Sequence, residues 1–143
     1  MRRWFPPILW SALVLGASTD FFSAAHTGSV LDTLSRALLG HPLPPPIFDP
    51  LHFAIRKAAH LTEYGILAFL WFRAIRNEAP LRWTWRWALS AVAIAALVAT
   101  TDEVHQSFVP SRGSSPYDVM LDIAGATIAV SAIRARMLLS LSP

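Results

Sequence analysis

The chain contains no cysteine. Disulfides, zinc–thiolate sites and cysteine nucleophiles are thereby excluded, and the sequence leaves the redox compartment undetermined. Charge is also scarce. Charged residues make up 15% of the chain, against about 25% in a soluble globular domain, so much of the surface must face something other than water. Lysine is nearly missing: of 12 Lys and Arg together, Lys57 is the one lysine. There is no internal repeat, and no dedicated metal signature such as His-Glu-x-x-His. The 143 residues suit a single domain over 1–143.

Apolar residues are what the chain has instead. They form 54% of it, with a mean hydropathy of +0.43. Four stretches are long and apolar enough to cross a bilayer, at about 4–22, 58–75, 85–104 and 117–137. The first has a rival reading as a signal peptide, with Arg2 and Arg3 ahead of a short apolar core. Three further apolar stretches follow it, which favours a retained span. The expected fold class is an all-α membrane protein: a four-transmembrane-helix bundle with an extracytoplasmic loop carrying a short amphipathic helix.

The arginines orient this bundle. Arg2 and Arg3 precede the first span, Arg73, Arg76, Arg82 and Arg86 flank the turn between the second and third, and Arg134 and Arg136 end the fourth. All fall on one side, which the positive-inside rule makes cytoplasmic. The expected location is the cytoplasmic membrane, multi-pass, with both termini inside. In the outer loop Val30, Leu31, Leu34, Leu38 and Leu39 recur at helical spacing. This segment is either a helix lying on the membrane face or a loop helix packed on the bundle. "HPLPPPIFDP" follows. Its prolines predict an extended strap rather than helix.

The outer ends of the spans hold the polar residues. At about 100° per residue, Lys57, His60 and Tyr64 form one stripe, with Glu63 on its flank. Asp102, His105 and Gln106 share a face at the end of the third span, with Glu103 beside it. Asp118 and Asp122 lie above Gly125 and Ala129 on the fourth, small residues that permit close helix approach. Arg112 sits in the polar turn between the third and fourth spans. Ionisable groups in hydrocarbon cost about 2.5–3.5 kcal/mol each even on lenient scales. They should therefore face one another, in a polar pocket between the outer ends of the second, third and fourth spans.

These residues carry a resemblance. "RKAAHLTEYGILAFLWFRAI" with "TDEVHQSFVPSRGSSPYDVMLDIAGATIA" resembles the VanZ-like family of small bacterial membrane proteins. The family pattern of Lys-x-x-His-x-x-x-Tyr, Asp-Glu-x-x-Gln, Pro-x-Arg and an Asp opening the last span is matched by Lys57, His60, Tyr64, Asp102, Glu103, Gln106, Pro110, Arg112, Asp118 and Gly125. Arg56 stands where the family often has Asp, and Asp122 where Asn is common. The resemblance implies a role in the cell envelope, through a member associated with resistance to the glycopeptide teicoplanin.

Three functional readings follow. In the first, the pocket binds an amphiphilic envelope molecule or glycopeptide-type ligand, with Lys57, Tyr64, Gln106, Arg112, Asp118 and Asp122 as binding residues. In the second, a membrane-embedded enzyme modifies a lipid or lipid-linked wall precursor, with His60, Glu103 and Asp102 as catalytic groups. No nucleophile stands beside a base at defined spacing, which ranks this reading behind the first. In the third, the same residues only tie helices together. The acids and histidines are hard-ion ligands, but Lys57 and Arg112 can neutralise them without an ion, so a divalent metal is not favoured and the cofactor stays unknown. The expected partners are the lipid bilayer and the amphiphile. Nucleic acid is not expected, because "RWTWRW" reads as an interfacial aromatic belt.

Overall fold

A computed structural model describes residues 2–17, 24–77, 83–109 and 115–140. These residues form five helices: α1 (Phe5–Ala17), α2 (Ala24–Leu39), α3 (Pro45–Arg76), α4 (Trp85–Gln106) and α5 (Pro116–Leu139). The protein is all-α among the described residues. α1, α3, α4 and α5 pack together, and the interface between α3 and α5 is the most extensive. α2 packs on α3 alone.

The packing is small-in, large-out. Along α4 the buried residues are Ala88, Ala91, Ala95, Ala99, Asp102 and Gln106, one continuous stripe at three- and four-residue steps. Ala95 is 0% exposed while Leu97 is 68% exposed. In water this arrangement forfeits the gain from burying the larger side chain. In lipid no hydrophobic force separates the two, and small residues win the interior because they let backbones approach. α4 is by length and hydropathy a membrane-span candidate, while α1 is apolar but shorter. Its indole partners fix α1 against α3: Trp10 Nε1 donates to the Glu63 carbonyl at 3.1 Å, and Trp71 Nε1 donates to Ser11 Oγ at 3.2 Å.

α3 departs from the expectation of a proline strap. Only residues 41–44 lie outside helix there, and α3 opens at Pro45. Pro45 and Pro46 occupy the first two helical positions, where a missing N–H costs nothing and the fixed φ suits a helix. Pro50 lies inside the helix and removes one donor near its start. The prolines thus begin a helix rather than prevent one. At 32 residues α3 is about 48 Å long, against a hydrocarbon layer of about 30 Å. Its first three turns therefore project beyond the predicted span.

α2 leans on this projection. Thr27 Oγ1 and His52 Nε2 are 2.9 Å apart, and Gly28 lies against the rings of His52 and Phe48. Its leucine face turns the other way: Val30, Leu34 and Leu39 are exposed and Leu38 is 80% exposed. The helix touches the bundle through small and polar residues, as a membrane-surface helix would, and not through its leucines.

The α3–α5 seam is held at one point of very close approach. A Cβ on Gly125 would stand 2.4 Å from the Leu61 carbonyl oxygen, and Gly65 lies 3.4 Å, by the same construction, from the Gly125 carbonyl oxygen. The clashing atoms are backbone, so no side-chain rotation relieves them. Gly125→Ala should force the two helices apart and cost about 1–3 kcal/mol. Gly16→Ala, which meets no atom within 4 Å, should be close to neutral. Thermal unfolding in detergent micelles compares them, and equal melting of the two variants would refute the close-contact reading.

Candidate functional site

Above Gly125 the seam carries two cross-helix pairs. Lys57 Nζ on α3 donates to Asp118 Oδ1 on α5. One turn deeper, His60 Nδ1 and Asp122 Oδ1 are 3.2 Å apart. Their origin is the spacing: Lys57 and His60 are three residues apart on α3, Asp118 and Asp122 four apart on α5, so both couples fall on facing stripes. Asp122 is 2% exposed and too deep to act as a helix cap. Among the described residues its partner is His60 and not Lys57, which pairs with Asp118. Asp118 stands in the first turn of α5, where Ser115 is the N-cap and accepts the Tyr117 N–H.

The end of α4 closes the layer. Asp102 and Gln106 are buried, and Gln106 Nε2 donates to Asp102 Oδ2 at 2.7 Å. Glu103 accepts the backbone N–H of Ser115 and so ties the end of α4 to the start of α5. Tyr64 is fully buried beneath them. Its hydroxyl and Asp102 Oδ1 have no hydrogen-bond partner among the described residues.

The open space lies elsewhere. A cavity of about 420 Å³ is lined by Asp49, His52, Phe53, Arg56, Lys57, His60 and Asp118. Three residues expected from sequence therefore reach it: Lys57, His60 and Asp118. Tyr64, Gln106, Asp122, Asp102 and Glu103 do not line it. They form the packed floor between α3, α4 and α5. Arg112 lies outside the described residues, as do Pro110 and Glu78. The rim residues Asp49, His52 and Phe53 were missed because the proline-rich segment reads as extended chain. The signal was present, since 49, 52, 53, 56, 57 and 60 follow a helical period.

The cavity's electrostatics are uneven. Lys57 is committed to Asp118, and its ammonium also lies 5.2 Å from the Phe53 ring centroid. Arg56 forms no ion pair among the described residues. His60 presents its ring to the cavity from a carboxylate that fixes the other side. Among the described residues no hydroxyl or thiol lines the space. Among the described residues no three His, Asp or Glu side chains gather as ligands of a metal ion, so the site's chemistry is read from its own charged groups.

The His60–Asp122 pair has a measurable signature. His60→Leu leaves a buried carboxylate without its partner and should destabilise the protein by about 3 kcal/mol. Adding Asp122→Leu should recover much of that loss. Unfolding in detergent micelles measures both. An equal or larger loss in the double variant would mean that the pair is not coupled.

The comparisons with known proteins bear on the whole bundle. Residues 7–139 match the family described as VanZ/LLP1. No curated protein and no solved structure matches the chain. The resemblance carried by residues 57–125 therefore extends from α1 to the end of α5, and with its apolar helices the chain is a membrane protein. The chain belongs to the VanZ/LLP1 family.

Proposed function

We propose that the protein is a four-span protein of the bacterial envelope that holds the charged head of an amphiphilic molecule at its outer face. In this reading α1, α3, α4 and α5 cross the membrane and both termini are cytoplasmic. The support is charge and shape. Arg2, Arg3, Arg73 and Arg76 line one cavity at one end of the bundle, as cytoplasmic residues would. His60, Asp118, Asp122, Asp102 and Glu103 occupy the opposite end.

The observation that carries the binding reading is Arg56. It lines the outer cavity, forms no ion pair among the described residues and sits beside a lysine already neutralised by Asp118. A guanidinium with free donors in a partly enclosed space takes a phosphate or carboxylate bidentately. Arg112 is the further cation expected at this end. The ligand's apolar part would lie along lipid-facing surface such as the leucine face of α2. The family's association with teicoplanin, itself an amphiphilic glycopeptide, suits a ligand of this class.

One observation favours a second reading, an enzyme acting on a lipid or lipid-linked wall precursor. His60 meets the cavity while Asp122 holds its Nδ1 side, the arrangement of an oriented acid/base. Asp102 and Glu103 are engaged by Gln106 and the Ser115 N–H, so in this reading they position the helices around His60.

Two measurements test the proposal. Teicoplanin and a lipid-linked wall precursor are titrated onto the protein in nanodiscs. Arg56→Gln should weaken binding of at least one by about tenfold. No effect of Arg56→Gln, or no binding of either probe, would remove the cavity from consideration. Turnover of the precursor that His60→Gln abolishes would select the enzyme. Orientation is read separately in this cysteine-free chain. His41→Cys, between α2 and α3, should react with an impermeant thiol reagent on intact cells, and reaction only after lysis would reverse the topology.

A further inference from the structure

The opposite end of the bundle holds two larger cavities that share a wall. The first, of about 710 Å³, is lined by Arg2, Arg3, Arg73 and Arg76 together with Pro6 and Pro7. No carboxylate is among its described lining residues. The second, of about 790 Å³, runs between α3 and α5 past Phe69, Ala132, Ile133 and Met137. Arg73 and Arg76 belong to both, and Arg136 adds a third guanidinium to the second. One space is polar and cationic, the next is an apolar groove, and the same two arginines stand between them.

Within the bundle Arg3 lies over the Trp4 ring, 5.2 Å from its centroid, but no carboxylate among the described residues neutralises it or the other arginines of the two cavities. Arg134 has its guanidinium 4.9 Å from the Trp83 ring centroid and 5.1 Å from that of Trp85, a stacked and satisfied position. Arg76 differs. Its Nε is buried and has no hydrogen-bond partner among the described residues. None of Arg2, Arg3, Arg73, Arg76 or Arg136 forms an ion pair among those residues. Four like charges around one cavity repel, and a buried charged donor without an acceptor is costly. An anion in the cavity relieves both.

We infer that this end is a binding site for an acidic phospholipid, with its phosphate among Arg2, Arg3, Arg73 and Arg76 and an acyl chain in the α3–α5 groove. Charge complementarity selects the head group. The planar guanidinium fork matches phosphate oxygens in pairs, and basic pockets between membrane helices hold anionic head groups in this way. The groove selects a tail. Ala129 and Ala132 both line it, and their small side chains leave room for one. The site is separate from the outer cavity and does not depend on what that cavity binds. The orientation proposed above adds only that the leaflet is the cytoplasmic one.

The test uses the whole chain in nanodiscs containing phosphatidylglycerol, phosphatidylcholine or both, with native mass spectrometry to read retained lipid. The wild-type chain should retain phosphatidylglycerol over phosphatidylcholine, and Arg73→Gln with Arg76→Gln should lower that retention by about tenfold or more. Ala132→Leu fills the groove without touching the charges and should also lower it. Arg134→Gln should not. Equal retention of the two lipids, or indifference to both the double variant and Ala132→Leu, would overturn the proposal. Full displacement by excess inorganic phosphate would overturn it in favour of a free-phosphate site. Glu78, outside the described residues, is the remaining acid near this end in sequence. A gain in phosphatidylglycerol retention only in Glu78→Gln would show that Arg76 is neutralised internally, and would also overturn it.

Discussion

Everything at the polar end depends on how closely α3 and α5 approach at Gly125. The missing side chain lets the Leu61 backbone sit where a Cβ would otherwise be. That contact sets the register of the two helices, which run in the same direction. Lys57 then meets Asp118, His60 meets Asp122, and Gly65 falls beside Ala129. The first step is about one helical turn on both helices; the second spans five residues of α3 and seven of α5. A wider separation would leave Asp122 buried without its imidazole, and a buried carboxylate does not tolerate that. Packing at a glycine and electrostatics one turn above it are parts of one constraint.

α4 completes the structure by a different means. Its alanine stripe brings it against α3 and α5 without bulky side chains, and the same stripe continues into Asp102 and Gln106. The interior is therefore apolar and thin at one level and polar at the next. The polar level is mostly closed by its own hydrogen bonds, with Glu103 joining α4 to α5 through Ser115. A cavity opens above it, walled by the first turns of α3 from Asp49 to His60, on which α2 rests through Thr27 and His52.

Cations are sorted along the molecule. Lys57 and His60 are paired with carboxylates at one end, whereas the arginines at the other gather around two cavities without described carboxylate partners. Two of them rest on tryptophan faces, Arg3 on Trp4 and Arg134 on Trp83 and Trp85, so the aromatic belt seen in the sequence serves as a seat for guanidinium groups. Arg2, Arg3, Arg73 and Arg76 line the first of these cavities, and Arg73, Arg76 and Arg136 the second.

Sequence alone determined the helical class, the position of the apolar stretches, and the gathering of polar residues at helix ends. Each of these is a local property, set by composition and a period of 3.6 residues. The motif residues likewise sufficed for the family. Partner choice was not local. Lys57 and Arg112 both stood open as partners for Asp122, and the α3–α5 register instead gives Lys57 to Asp118 and His60 to Asp122 among the described residues. Pro45 and Pro46 looked like breakers because a proline's effect depends on whether it stands at the start of a helix or within one. With that start misread, Asp49, His52 and Phe53 were hidden as cavity residues. The tertiary structure also decided which polar residues are floor and which are wall, because burial depends on where neighbouring helices end and not on the face a residue occupies.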